Sequence, residues 1–294
     1  MPNQQSHQSL LKYTSLVFSN SSFDRILKKG EHDFIKRKAK KYSSFNPKIE
    51  LSTYNDFFEH LYNSMLLSYR NEYIYKNTIV NKILLGRHNL NTAIAFNEFR
   101  IGKSIADLVL LNGTSVVYEI KTEYDSTDRL LSQINEYRKS FLNVVVVTHY
   151  SIAQKYISFF AKNNLSNIGL IYFSRRNTLV ERIKPKTDSS HLDISYMFKC
   201  LRKGEYSKII QNYFGYLPEV PNTQFFRECL NLALEIDPLV FHDLMFSCLK
   251  QRSLKGKEEI ASETLPRYLK HIGISSNFSN NDIYELKKFI NQKI

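Results

Sequence analysis

Three charged side chains stand inside otherwise apolar runs. Asp107 interrupts Ile105-Ala106-Asp107-Leu108-Val109-Leu110-Leu111, and Glu119 and Lys121 interrupt Val116-Val117-Tyr118-Glu119-Ile120-Lys121. Charges in strands this apolar are costly unless they pair or bind a metal ion. Alternate residues of a strand point to one face, so Glu119 and Lys121 project together. The Asn112-Gly113 step between the runs is a strong hairpin signal, and a hairpin lets Asp107 reach the same spot. Cutting a phosphodiester needs an activated water and a way to hold the charge that builds on the phosphate. Mg²⁺ or Mn²⁺ supplies both when oxygen ligands position it. In this geometry Asp107 and Glu119 are the metal ligands and the Ile120 carbonyl is an extra one. Lys121 orients the attacking water or helps deprotonate it, and stabilises developing charge. The plainer alternative is that Lys121 forms an ion pair with Glu119 or Asp107 at a strand end.

A bare Glu-x-Lys triplet arises by chance in a chain of 294 residues, and Glu285-Leu286-Lys287 is such a copy, expected as surface decoration on an amphipathic helix. Context separates the two. An acid on one strand followed by Glu-x-Lys on the next resembles the PD-(D/E)XK nuclease superfamily, here as Ala106-Asp107 and Glu119-Ile120-Lys121. Ala106 stands where the signature has proline, which removes no ligand. Gln133-Ile134-Asn135-Glu136-Tyr137 is similar to the Q-x-x-x-Y motif of the RecB-like branch, which implies that Gln133 and Tyr137, one helical turn apart, face the site together. The resemblance covers roughly residues 70–150. It implies a restriction-endonuclease-like mixed sheet flanked by helices and a Mg²⁺- or Mn²⁺-dependent nuclease acting in restriction, repair or anti-phage defence, with DNA favoured over RNA. It also implies a further metal-facing acid upstream. Glu72, opening a helix otherwise used for packing, is preferred, and Glu98 on the first strand competes with it. The four cysteines of the iron-sulfur members are missing, so no cluster is expected. The rival function is a catalytically inactive nucleic-acid- or protein-binding module of the same fold; the intact Asp107, Glu119, Lys121 set argues against it.

The elements that must position these residues are read from hydrophobic period. Helical spacing runs from Phe23 to Tyr42, then over 53–68 and 70–87. Short apolar runs between turn residues then predict strands at Ala93 to Arg100, Ile105 to Leu111 and Ser115 to Thr122. A helix from Thr127 to Phe141 leads to Asn143 to Thr148, whose run of valines marks a strand buried on both faces. A helix from Ala153 to Asn163 and strands at Ile168 to Phe173 and Leu179 to Ile183 complete a mixed α/β core over 70–184. Before it lies a basic helical extension, 1–69, whose first 20 residues are expected to be loosely ordered. Lys184 to Ser190 has linker composition, and helical spacing returns beyond it, which predicts a helical accessory domain over 191–294.

The chain carries 41 Lys plus Arg against 28 Asp plus Glu, a formal charge of +13 that points to a polyanion, usually nucleic acid. The excess is +5 over 1–70, +6 over 71–184 and only +2 over 185–294. Lys36, Arg37 and Lys38 on the first basic helix, and Arg129, Arg138 and Lys139 along the Gln133 helix, are the candidate phosphate contacts. Solvated basic faces are the bland reading of both groups. The nearly neutral C-terminal region suits a homodimer or protein partner better than substrate. His149, alone after the valine run, is expected to be structural. Cys200, Cys229 and Cys248 lie far apart without CxxC spacing, which predicts buried thiols in a reducing compartment rather than a zinc or redox site. No Walker-type loop is present, which excludes an ATP-driven motor within this sequence. No secretory signal and no apolar run of about 18 residues is found, so a cytoplasmic protein without membrane association is expected.

Overall fold

The computed structural model describes residues 4–87, 94–252, 263–276 and 278–294. The chain divides into two compact units, one formed by residues 1–87 with 255–294 and the other by residues 88–254.

The second unit is an α/β fold around a six-stranded mixed sheet. Its strands, β1 (Ile94–Ile101), β2 (Ser104–Asn112), β3 (Thr114–Ile120), β4 (Asn143–His149), β5 (Gly169–Phe173) and β6 (Leu179–Ile183), lie side by side in chain order. β1, β2 and β3 form an antiparallel meander, β3, β4 and β5 run parallel, and β6 returns antiparallel to β5. Parallel neighbours need a crossover, and the helices Leu130–Tyr137 and Ala153–Lys162 supply the two required. The valine run of β4 lies at the centre and is buried along its whole length, as a strand covered on both faces should be. The tight turn between β2 and β3 centres on Gly113, whose φ of 64° lies in the left-handed region that glycine tolerates. Ala93, the first residue of the predicted first strand, lies outside the described residues.

One face of this sheet, Val109, Leu111, Val117, Val144, Val146 and Leu170, packs under Leu130, Ile134 and Tyr137 and under Tyr156 and Phe160 of the two crossover helices. The same core continues into Met197, Phe198, Phe241 and Met245, which come from the helices Ile194–Lys199 and Pro238–Lys250. This corrects the predicted boundaries. The segment 184–190 is held in place, with Lys186 N–H donating to Asn167 O and Asp188 N–H to Leu142 O. The helices up to Lys250 then join the sheet's own core instead of forming a separate domain. Burying a side chain such as Phe241 or Met245 contributes about 1.5–3 kcal/mol, more than a polar linker composition can offset.

The first unit is helical: Gln4–Ser15, Asn20–Lys29, Asp33–Phe45, Tyr54–Ser68 and Glu72–Ile79, continued by a π-turn at Val80–Leu84 and a last turn at Leu85–Arg87. The first 20 residues are not loosely ordered as expected: Gln4–Ser15 is a helix that buries Leu10, Leu11 and Thr14. The single helix predicted from Phe23 to Tyr42 is two, divided at Gly30, which caps the first with a φ of 64°. Thr53 and Asp56 form a capping box that starts Tyr54–Ser68 where the period predicts. The helices Lys270–Ser275 and Asn280–Ile290 return to this unit: Tyr73 Oη donates to Tyr268 O, Tyr54 stacks on Phe289, and Thr53 bridges Lys293. No helix among the described residues is long and apolar enough to cross a membrane.

Candidate active site

The site grows from the register of the β-meander. Leu108 lies opposite Tyr118 and Val109 opposite Val117, and one further step along the same ladder sets Asp107 opposite Glu119. Asp107 Oδ2 accepts from Ile120 N–H at 2.6 Å, closing the end of that ladder with a side chain. Glu119 is buried, with 3% of its side chain exposed, and Lys121 is 11% exposed. Lys121 Nζ donates to Glu119 Oε1 at 2.7 Å and to Gln133 Oε1 at 3.0 Å. Tyr137 Oη donates to Glu119 Oε2 at 2.7 Å and lies 3.0 Å from Ile105 O. Gln133 Nε2 lies 3.5 Å from Tyr137 Oη, so the two helix residues touch each other and the strand residues below.

The physical reason is period matching. Glu119 and Lys121 share a strand face by alternation, and Gln133 and Tyr137 share a helix face by spacing four apart. The crossover helix must lie on one face of the sheet to bury Leu130 and Ile134, and that burial brings the two pairs together. Burial, followed by the charge of Glu119, pushes the Tyr137 phenol far above its ordinary range, which keeps it a proton donor. Thr148 Oγ1 donates to Lys121 O at 2.7 Å and Lys121 N–H to Val147 O at 2.8 Å, which fixes the chain where β3 ends.

Asp107 and Glu119 bring two carboxylates to the same end of the β2–β3 ladder, and the Ile120 carbonyl belongs to the same stretch of β3. Mg²⁺ commonly takes only one or two carboxylates and completes its shell with waters and substrate phosphates, so this donor set fits such an ion. Among the described residues no third His, Cys, Asp or Glu joins them at metal-ligand spacing. Glu72 opens the helix Glu72–Ile79 of the first unit, and its carboxylate pairs with Lys76 four residues on in the same helix. Glu98 sits closer in the topology. The β1–β2 ladder passes over it between the pairs Asn97 with Leu108 and Phe99 with Ala106, directly across from Asp107. Its φ of 52° is a left-handed conformation that costs a non-glycine residue about 1 kcal/mol or more.

The basic candidates divide. Arg129 is exposed and lines an open cleft of ≈ 500 Å³ with Lys103, Ser104, Ile105, Ser132, Gln133 and Glu136. Arg138 is half-buried and donates to Asn135 Oδ1, and Lys139 pairs with Glu136 at 3.4 Å and sits 3.9 Å from the Tyr196 ring centre. Both are committed to their own unit. Lys36 and Arg37 are exposed, whereas Lys38 is buried and donates to Tyr13 O. Lys103, from the turn between β1 and β2, and Tyr156 received no role from the sequence, since neither interrupts a pattern. Tyr156 is fully buried, and burial and then the charge of Asp125 push its phenol up to about 12, with Thr148 and Glu119 also acting on it. His149 is buried at the end of β4 with Nδ1 2.8 Å from Ser151 Oγ and against the Glu123 carboxylate, a structural setting. The copy at Glu285 and Lys287 is exposed on its helix, as decoration should be. The three cysteines are free and buried, as predicted.

A family model described as bacteriophage P4 protein cII matches residues 65–271, a stretch that contains the whole sheet and every residue of this cluster. The chain is 26% identical over 191 residues to protein cII of Enterobacteria phage P4, an alignment covering 60% of this chain and 69% of the relative. No solved structure matches the chain.

Proposed function

The chain belongs to the bacteriophage P4 protein cII family, and we propose that it is a metal-dependent nuclease of PD-(D/E)XK type, hydrolysing phosphodiester bonds of DNA on a restriction-endonuclease-like core. One observation carries the reading. Glu119 and Lys121, picked out by type and spacing, meet Gln133 and Tyr137 in one hydrogen-bonded cluster at the β2–β3 ladder end, and Asp107 joins that ladder end through the Ile120 N–H. Tyr137 also belongs to the core, but the charged groups Glu119 and Lys121 are costly in apolar strands and packing alone does not call for them.

Asp107, Glu119 and the Ile120 carbonyl would hold the cation. When bound, Mg²⁺ or Mn²⁺ supplies Lewis-acid polarisation of the scissile phosphate and lowers the pKa of water. The remaining work belongs to the chain. Gln133 Oε1 accepts from the Lys121 ammonium at 3.0 Å and holds it at the site, where it would orient the attacking water and stabilise the charge that builds on the phosphate oxygens. Tyr137 fixes the Glu119 carboxylate from its Oε2 side, so that Oε1 faces the reaction. Arg129 and Lys103, on the rim of the adjoining cleft, suit neighbouring phosphates.

A second reading, a binding module without turnover, is favoured by one feature. Both Glu119 oxygens are already satisfied by Lys121 and Tyr137, so the cluster closes on itself without a cation. Cleavage of linear duplex, circular and single-stranded DNA with Mg²⁺ or Mn²⁺ separates the two. Metal-dependent cutting lost in both Glu119→Ala and Lys121→Ala supports the nuclease. Wild-type protein that binds DNA and cuts none of these substrates, or variants that cut equally well, leaves the binding module.

A further inference from the structure

In the first unit the cations of neighbouring helices are treated differently. On Asn20–Lys29, Arg25 pairs with Glu31 at 2.7 Å and Lys28 with Asp24 at 2.7 Å. On Asp33–Phe45, none of Lys36, Arg37, Lys38, Lys40 and Lys41 has a carboxylate within 4.0 Å among the described residues. Arg37 and Lys41 stand four apart, and Lys38 and Lys41 three apart, so like charges crowd one helix face and destabilise it. That face meets Tyr13 of the helix Gln4–Ser15. The Lys38 ammonium lies 3.7 Å and the Lys41 ammonium 4.5 Å from the Tyr13 ring centre, while the ring remains 42% exposed. Beside it opens a cleft of ≈ 430 Å³ lined by Gln5, Ser6, Ser9, Leu10, Lys41 and the half-open ring of Phe45.

We infer that this face binds single-stranded nucleic acid, with a base stacked on Tyr13, the backbone phosphates against Arg37 and Lys41, and the sugar edge on the polar wall of Gln5, Ser6 and Ser9. The charge complementarity selects a polyanion, since the unpaired cations lose their mutual repulsion only when an anion joins them. The exposed ring selects unstacked bases, because every base presents a flat face and a duplex hides it. The Lys38 and Lys41 ammoniums over the Tyr13 ring fix its orientation and take part of its surface, so the base stacks on the part of the ring that stays exposed. Lys38 is the anchor and not a phosphate contact. It is buried and spends a hydrogen bond on Tyr13 O, and burial followed by the Lys41 charge lowers its pKa. This surface acts independently of cleavage, and the proposal stands whether or not the Glu119 cluster turns over.

The test is fluorescence anisotropy of the full chain with labelled oligodeoxythymidine and with a duplex of equal length, in EDTA so that no cutting occurs. Wild type is expected to prefer the single strand. Tyr13→Leu weakens single-strand binding about tenfold and leaves duplex binding unchanged, while Tyr13→Phe binds as wild type because the ring is kept. Lys41→Gln lowers affinity and reduces the slope of log affinity against log salt by about one. Single-strand affinity unchanged in Tyr13→Leu, equal loss in Tyr13→Phe, or a preference of the wild type for duplex or for phosphatidylserine vesicles overturns the proposal. A chain inert in the Mg²⁺ cleavage assay but behaving as expected here retains this surface and loses the nuclease reading.

Discussion

Tyr137 Oη donates to Glu119 Oε2 at 2.7 Å while Lys121 Nζ holds Oε1 at 2.7 Å, so one buried carboxylate is gripped from the crossover helix and from its own strand. A hydrogen bond to a buried charge contributes about 1.5–3 kcal/mol. Tyr137→Phe keeps the ring that packs under the helix and removes only the donor. Its unfolding free energy in urea is expected to fall by about 2 kcal/mol, and the proposed nucleolytic activity to fall with it. Stability equal to wild type means the phenol is not holding the carboxylate.

Lys121→Met leaves Glu119 buried without its cation. Breaking such a pair from one side costs about 3–5 kcal/mol, whereas removing both charges costs far less. The double variant Glu119→Gln with Lys121→Met is therefore expected to unfold at higher urea than Lys121→Met alone. A thermodynamic cycle over the four proteins gives the coupling, and a coupling near zero discards the buried ion pair as the organising contact.

Gly102 makes the turn between β1 and β2 with a φ of 57°. A Cβ there meets Glu136 Oε2 at 2.0 Å and Tyr196 Cε1 at 2.6 Å, and that same carboxylate oxygen accepts Lys103 N–H at 2.9 Å. Gly102→Ala combines backbone strain with a clash, and an expected loss of about 2 kcal/mol or more is measured by thermal or urea unfolding. A neutral effect shows that the turn relaxes and that Glu136 is not fixed.

His271 sets an acid limit on the first unit. Burial, followed by the charge of Lys76, lowers its pKa from 6.5 to about 3. The unfolded chain therefore takes up a proton that the folded chain refuses. The contribution is fully present above pH 6.5 and is lost progressively as pH falls from 6.5 toward 3. Urea midpoints measured from neutral pH downward should decline across that window, and His271→Gln should flatten the decline. An unchanged slope in the variant points to other groups.

The site was unusually legible because its parts violate local pattern. A charge in an apolar strand is costly wherever the strand goes, so Asp107, Glu119 and Lys121 stood out before any contact was known. The helix pair Gln133 and Tyr137 was singled out by its similarity to the Q-x-x-x-Y motif. Glu72 and Glu98 were not separable in this way, because an acid at a helix start and an acid on a strand both look ordinary. The structure places Glu72 at the start of a helix of the first unit and Glu98 on β1 between the pairs Asn97 with Leu108 and Phe99 with Ala106. Lys38 failed as a phosphate contact for the same reason, since composition marks a cation as basic but says nothing of the Tyr13 ring that buries it.

Sequence alone determined the order and type of the sheet elements, the β2–β3 hairpin at Gly113 and the presence of charges within apolar strands, because alternation, helical spacing and the cost of a buried charge are local or one-body effects. Tertiary structure decided which segments share a core. Helices Ile194–Lys199 and Pro238–Lys250 joined the sheet through Phe198 and Phe241, and the last helix returned to Thr53 and Tyr54. Those choices depend on which apolar faces bury each other across long chain separations, and no window of neighbouring residues carries that information.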